Sequence, residues 1–377
     1  MRVAITTDWL NSFGGAERVL NELVQLFPDA PIYTSVYDPR RIPQSLRDRD
    51  VRTSFLQKVP LARRRHQAFF PLMPLAFEQF DLSEFDVVLT TSSACSKGVL
   101  TGAGTLNLCY CYTPPRYLWD LYHEHVGRHR ARMLIAPVAQ RMRQWDRMAA
   151  DRVDRFIAIS HEVGARIRKH YRRDSEVIYP PVRVDRFSDR ITPPEDYYLV
   201  VSRLVRYKRI DLAIKAANRL GRRLLVVGDG PERKRLEAMA GPTVEILGWR
   251  PDAEVTALFS GCRGFLFPGQ EDFGIAPVEA QAAGRPVVAY GRGGAVETVV
   301  HGKTGLLFDE QTVESLADAI LTLERWSIDP KACRRNAERF DASVFRERIA
   351  AAVRQVGVAT SAAVPSVSRD EKLRETA

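Results

Sequence analysis

The chain has 377 residues, 45 % of them apolar and 27 % charged, which is the balance of an ordinary globular protein with room for two or three domains of about 150 residues. Those figures exclude a mainly disordered chain, and no apolar run approaches the ~18 residues that a bilayer-crossing helix needs. Against 46 acidic residues stand 56 basic ones, a net of +10, which leaves nucleic acid, an anionic membrane or an anionic substrate open as partners.

From the N-terminus, Arg2–Thr7 reads as a buried strand. Asp8 follows too soon for the run to be the core of a signal peptide. Beyond a glycine turn, Val19, Leu20, Leu23, Val24 and Phe27 recur at helical spacing. Further strands are expected at Ile32–Val36, Asp86–Thr91, Leu106–Tyr112, Arg155–Ser160 and Glu176–Tyr179, with a helix over 161–171. This alternation predicts parallel sheets covered by helices. Tyr179-Pro180-Pro181 and Thr192-Pro193-Pro194-Glu195-Asp196 then read as an extended linker.

The alternation restarts with strands at Tyr197–Ser202, Arg223–Val227, Val244–Leu247, Gly264–Phe267 and Pro286–Tyr290. Helices are expected between and after them, near 209–219, 232–239, 252–259, 276–283 and 295–300. From about 311 the chain reads as helical, with an amphipathic helix over 342–356 and a disordered tail at the end. Two α/β halves, 1–190 and 191–340, are therefore expected, with a helix over 341–357 and a tail over 358–377. In such halves ligands sit beyond the carboxyl ends of the strands. The five cysteines, at 95, 109, 111, 262 and 333, are odd in number and lack metal-ligand spacing, which fits a reducing cytoplasm.

The sharpest chemical signal is Pro268-Gly269-Gln270-Glu271-Asp272-Phe273-Gly274-Ile275-Ala276-Pro277-Val278-Glu279, between an apolar strand and a helix. Glu271 lies in the loop and Glu279 on the helix, two acceptors suited to vicinal hydroxyls. Phe273, Gly274 and Ile275 bring backbone N–H groups and a helix N-terminus, which attract anions. Ser202-Arg203-Leu204-Val205-Arg206-Tyr207-Lys208 sends Arg203 and Lys208 off one strand tip, where two cations can neutralise a pyrophosphate. Gly228-Asp229-Gly230-Pro231 follows the next strand, either as a plain turn or as part of a ligand site. Gly291-Arg292-Gly293-Gly294 precedes another helix and permits close approach of the backbone at Gly293 and Gly294.

These segments resemble family 4 retaining glycosyltransferases of the GT-B fold, over nearly the whole chain; Glu271 and Glu279 match the E-x7-E motif. The resemblance implies an α/β chain of two Rossmann-like α/β/α domains facing across a cleft, an acceptor-binding one first and a nucleotide-sugar-binding one second, with the C-terminal helix crossing back to the first. It implies that Glu271 contacts the donor sugar, Glu279 the nucleotide ribose, and Arg203 and Lys208 the diphosphate, with Glu271, Arg203 and Lys208 as the catalytic set. Gly14 and Gly15, in Ser12-Phe13-Gly14-Gly15, resemble the family's donor-phosphate turn. Asp229, Gly248, Trp249, Phe273, Gly274, Ile275, Gly293 and Gly294 complete the expected donor site. No cofactor and no metal are expected. Asp48-Arg49-Asp50, which mimics a metal motif of another transferase fold, is not at a strand end, and His123, Glu124 and His125 lack a third ligand.

Cys109-Tyr110-Cys111-Tyr112-Thr113-Pro114-Pro115-Arg116-Tyr117-Leu118-Trp119-Asp120 resembles the branch of bacterial O-antigen and polysaccharide mannosyltransferases, with Tyr112 standing where the branch usually has His. Tyr112 and Arg116 are the acceptor-side candidates, and GDP-mannose is the expected donor, with a UDP-hexose as the alternative. A phosphorylase would need a pyridoxal-binding Lys in a longer chain, and a 2-epimerase would lack the E-x7-E segment. No nucleic-acid-binding motif accompanies the charge, so no nucleic-acid partner is expected. Residues 1–190 carry 29 Lys/Arg against 21 Asp/Glu, and 101–173 alone carry 14 against 6. There Arg128, Arg130, Arg132, Arg141, Arg143 and Arg147 interleave with Met133, Leu134, Ile135 and Trp145. Upstream, Arg63-Arg64-Arg65-His66 precedes Phe69-Phe70-Pro71-Leu72-Met73. Basic plus apolar surface fits peripheral binding to anionic lipid, where a polyprenyl-linked or glycan acceptor would be met. A cytoplasmic protein, peripheral on the inner face of the plasma membrane, is the expectation.

Overall fold

The computed structural model describes residues 1–125, 132–188 and 192–363. Two sheets account for its strands. The first is built from β1 (Val3–Thr7), α1 (Gly15–Leu26), β2 (Ile32–Thr34), α2 (Gln44–Arg47), β3 (Val51–Thr53), α3 (Met73–Glu78), β4 (Val87–Ser92), β5 (Leu106–Cys111), α4 (Tyr122–His125), α5 (Arg132–Asp151), β6 (Arg155–Ala158), α6 (His161–Tyr171) and β7 (Ser175–Val177). Its strand order is β3-β2-β1-β4-β5-β6-β7, with β1 parallel to β2 and β4 (Val3 opposite Val87). β1 and β4 are buried at every residue, as central strands covered on both faces must be.

The second sheet and its helices comprise β8 (Tyr198–Val201), α7 (Ile210–Leu220), β9 (Leu224–Val227), α8 (Arg233–Glu237), β10 (Val244–Gly248), α9 (Asp252–Gly261), β11 (Gly264–Phe267), α10 (Ile275–Ala282), β12 (Val287–Tyr290), α11 (Ala295–Thr298), β13 (Gly305–Phe308), α12 (Val313–Arg325) and α13 (Pro330–Glu338), and α14 (Ala342–Ala363) follows them in the chain. Its order is β10-β9-β8-β11-β12-β13, parallel at every pairing. The order reverses between β8 and β11, which makes their carboxyl ends the switch point where ligands bind in such sheets. Ile210, Leu212, Ile214 and Ala217 of α7 and Leu316 and Ile320 of α12 are packed into its core.

The chain divides into two compact units, Met1–Ile157 with the segment from Arg346 onward, and Ala158–Phe345. The division runs through β6, not through the Pro-rich stretch. The reason is bonding: Val182 N–H donates to Phe340 C=O at 2.9 Å and Ala342 N–H donates to Val182 C=O at 3.1 Å, tying 182 to the second unit. As the resemblance implies, α14 from Arg346 belongs with the first unit, where Arg346 pairs with Glu22 of α1. That helix runs on to Ala363, past the start of the expected tail, and the rest of the tail lies outside the described residues.

Two strands escaped the sequence. Both sit at sheet edges: β3 is three residues long with Arg52 exposed at its centre, and β13 is the outer strand beside β12. β3, Val-Arg-Thr, lacks the apolar run of the inner strands; β13 has one, as apolar as β11, and sequence reasoning missed it. The expected helix over 295–300 is a single turn, Ala295–Thr298, because α11 ends at Val299 in extended backbone.

Candidate functional site

The second unit brings most of the predicted residues to one end of its sheet. After β8 the chain passes Arg203 and makes a 3₁₀ turn over Arg206–Lys208. After β11 it passes Gly269 and reaches Glu271. The two loops touch at Gly269, where a Cβ would lie 2.8 Å from the Cα and C=O of Lys208; only a glycine admits that approach. The consequence is an ion pair between Lys208 Nζ and Glu271 Oε2, 15 % and 19 % exposed. Burial is the largest single influence on the Lys208 ammonium and lowers it, but the Glu271 carboxylate, together with Tyr207 and Asp272, outweighs burial and holds the pKa above its ordinary value. Arg203 is exposed and, among the described residues, joins no acid. One cation is thus held at Glu271, while the other is free to meet a ligand.

The turn after β12 closes the other side. Gly294 N–H donates to Glu271 C=O at 2.8 Å, and a Cβ on Gly294 would fall 2.2 Å from Phe273 Cα. Gly293 has φ +66° and faces the same carbonyl. Gly274, at φ +91°, starts α10 without any side-chain cap, so the amides of Ile275 and its neighbours keep their donors toward the loop. Phe273 itself is buried, stacked on Tyr179 at 5.6 Å and edge-on to Phe340 at 5.5 Å; its ring holds the loop down while its backbone lies against Gly294.

Glu279 lies in the middle of α10, 8 % exposed, with Oε1 3.2 Å from Arg186 NH1. Sequence reasoning missed Arg186, which follows the Pro-rich stretch where no pattern marks a site residue. Asp229 accepts from Gly230 N–H at 2.7 Å and from Arg233 NH1 at 3.4 Å, the bonding of a turn. Gly248 ends β10, and Trp249 beyond it is 72 % exposed.

In the first unit, Gly14 and Gly15 form the exposed turn between β1 and α1. Glu17 reaches back so that Gly14 N–H donates to its Oε2 at 2.8 Å, the return half of a capping box. Burial pushes the Glu17 carboxyl up to about 7, against the lowering effect of its backbone hydrogen bonds. Tyr112, just past β5, donates its hydroxyl to Ala16 C=O at 3.0 Å. It therefore braces the first turn of α1. Arg116 stands in the turn after Pro115, half-buried, and its C=O accepts from Leu121 N–H at 2.7 Å.

Residues missed by sequence reasoning hold this end together. Asp8 accepts backbone N–H groups from Ser93, Ala94, Cys95 and Ser96 at 2.6–2.9 Å. Lys97, 1 % exposed, bonds Ala94 C=O at 2.7 Å and pairs with Asp146, which also accepts from Trp119 Nε1 at 2.8 Å. A strand-end acid and a lone lysine carry no sequence signal of such roles.

The basic segment is mixed in use. Met133 and Leu134 are 84 % and 78 % exposed, and Arg141 is exposed. Trp145, by contrast, donates to Glu78 at 3.1 Å, and Arg143 stacks on Tyr122 at 4.7 Å. Arg63, Arg64 and Arg65 are exposed beside Leu61 and, further along, Leu72 and Leu75. Arg128 and Arg130 lie outside the described residues. No helix among the described residues is long and apolar enough to cross a membrane.

Two family models match, one for glycosyl transferases group 1 over residues 182–340 and one for Glycosyltransferase Family 4 over 13–186. An uncharacterized glycosyltransferase of Methanocaldococcus jannaschii is 25 % identical over 233 residues, 60 % of this chain and 66 % of that protein. A GDP-mannose-dependent alpha-(1-6)-phosphatidylinositol monomannoside mannosyltransferase of Mycobacterium tuberculosis is 36 % identical over 141 residues, 33 % of this chain and 37 % of that protein. The matches thus span just under two thirds of the first relative's length and little more than a third of the second's. The Anabaena protein HepE, solved in complex with UDP, superposes with a TM-score of 0.70 at 20 % identity, covering 94 % of this chain and 100 % of its own. That likeness concerns the fold, two α/β domains of the GT-B kind.

Proposed function

We propose a specific reaction for this chain, which belongs to glycosyltransferase family 4: a retaining transfer of mannose from GDP-mannose to a lipid-linked or polysaccharide acceptor of the cell envelope. The observation that carries the reading is the Lys208–Glu271 pair beside the exposed Arg203, at the switch point of the second sheet. The mannose preference rests on the branch resemblance and on the mannosyltransferase relative. A UDP-hexose is the alternative donor, supported by the UDP-bound neighbour.

The chemistry follows from the charges. A donor diphosphate offers Lys208 and Arg203 a stronger anion than Glu271 does, so Lys208 is shared and Glu271 is released to accept from sugar hydroxyls. The acceptor hydroxyl then bonds to the anomeric carbon on the face the diphosphate leaves, and its proton passes to a departing phosphate oxygen. The cations stabilise the charge growing on that leaving group, which is the work a metal does in other transferases; no metal and no cofactor belong to this proposal. The uncapped start of α10 and the Gly293–Gly294 turn add backbone donors, and Glu279 with Arg186 is assigned to the ribose side.

The acceptor belongs to the first unit in this reading, with Tyr112 and Arg116 on its side. Exposed Arg63, Arg64, Arg65, Leu72, Leu75, Met133 and Leu134 support docking on an anionic membrane from the cytoplasmic side.

Nucleoside diphosphate release from GDP-mannose and UDP-hexoses tests the site. Glu271→Ala and Lys208→Ala should each abolish it; unchanged turnover in both variants sinks the assignment. A thermal-shift panel of GDP, UDP and ADP with their sugars names the donor, since the tighter ligand stabilises more. Flotation with anionic vesicles at low salt tests the membrane, and failure to float removes it.

A further inference from the structure

The loop that carries Glu271 is held from behind by a helix that contributes nothing to the site directly. Helix α6 is capped by Ser160, whose hydroxyl accepts Val163 N–H at 3.1 Å and also donates to Asp272 C=O at 2.5 Å. Six residues on, Arg166 is 8 % exposed. Its guanidinium spans two carboxylates, pairing through NH1 with Asp272 and through NH2 with Glu162 at 3.0 Å. A buried guanidinium bonded on both arms is locked in orientation, and it locks its partners in turn.

The same helix end is tied to the opposite wall. Glu297, on α11 just after the Gly293–Gly294 turn, accepts from His161 N–H at 2.9 Å and Glu162 N–H at 3.1 Å. Tyr179, two residues past β7, stacks on Phe273. Helix α6 and its flank therefore grip residue 272, residue 273 and residue 297, on either side of the Glu271–Lys208 pair. Asp272 is the covalent neighbour of Glu271, and neither Arg166 nor Ser160 has a bond to Glu271 or Lys208.

We propose that Arg166 is a positioning residue for transfer, holding Asp272 so that the adjacent Glu271 carboxylate and the Gly294 contact keep their geometry against the donor sugar. This rests on the reading of Glu271 and Lys208 as the donor site. Removing the clamp lets the loop shift while Lys208 and Arg203, which bind phosphate, stay on the β8 loop. The loss falls on turnover and spares diphosphate affinity, because misplacement of about 1 Å costs about 100-fold in rate.

The test compares wild type, Arg166→Gln, Arg166→Lys, Arg166→Asp, Asp272→Asn, the exchanged pair R166D/D272R, and Lys208→Ala. Each is measured for kcat and KM with the donor found by the panel above, for affinity toward the matching nucleoside diphosphate by calorimetry, and for its unfolding midpoint. Arg166→Gln and Asp272→Asn should each lower kcat about 10- to 100-fold with nucleoside diphosphate affinity within about threefold of wild type. Arg166→Lys should recover part of the loss, and the exchanged pair should exceed the single Arg166→Asp. If Arg166→Gln unfolds, Asp272→Asn, which keeps size and shape, decides alone. Wild-type kcat in Asp272→Asn overturns the proposal, as does a loss of nucleoside diphosphate affinity equal to the loss of kcat. If wild type and Lys208→Ala bind nucleoside diphosphate alike, the donor-site reading itself fails and takes the proposal with it.

Discussion

Replacing Glu17 by Gln should flatten the pH dependence of stability in the first unit. The carboxyl is 6 % exposed and accepts Gly14 N–H at 2.8 Å. Burial lifts it from 4.5 to about 7. A raised acid binds more protons folded than unfolded between those values, so stability falls as pH climbs through the window. Below 4.5 both states are protonated and the effect vanishes; above about 7 both are ionised and the full cost remains. The lift of about 2.5 units, at 1.36 kcal/mol each, corresponds to about 3 kcal/mol. Glutamine keeps an oxygen for Gly14 N–H and has no charge to desolvate. Urea unfolding at 25 °C, run on both proteins at half-unit steps from pH 4.5 to 8, isolates the term as a difference, since acids lowered in the fold, such as Glu324, cancel. The variant should gain on wild type by about 3 kcal/mol across the window. Curves that stay parallel within about 0.5 kcal/mol would refute the burial argument.

Other perturbations read different parts of the molecule. Lys97→Met removes the buried cation paired with Asp146, and should destabilise by about 3–5 kcal/mol in denaturant, whereas adding Asp146→Leu should recover much of it. Gly294→Ala drives a Cβ to within 2.2 Å of Phe273 Cα, so turnover should fall at least tenfold, a larger effect than Gly221→Ala at an exposed helix end with open space around it. Tyr112→Phe removes the brace on Ala16 C=O and should cost about 1 kcal/mol of stability, read by thermal unfolding; a steep loss of kcat without any stability change would instead put the hydroxyl in the chemistry.

Much of this protein is local enough to be legible in its residues. The inner strands announce themselves because buried parallel strands need apolar runs, which β9 and β11 provide throughout and β1 and β4 over their first three residues. Arg203, Lys208, Glu271 and the Gly293–Gly294 turn are readable because short segments at strand ends carry them whole. Tertiary structure alone decided what those segments do to one another. That Gly269 lets Lys208 reach Glu271 depends on two loops separated by some sixty residues. Arg166 finds Asp272 across more than a hundred residues, and Asp8 finds the amides of 93–96 across more than eighty. The edge strand β3 is invisible locally because its partner, not its composition, makes it a strand, whereas β13 carried a legible Leu306-Leu307-Phe308 run that sequence reasoning passed over. Residue type and short-range spacing determine which chemistry is present at each strand tip; the fold determines which tips meet, because pairing energy depends on distance in space and the sequence records only distance along the chain.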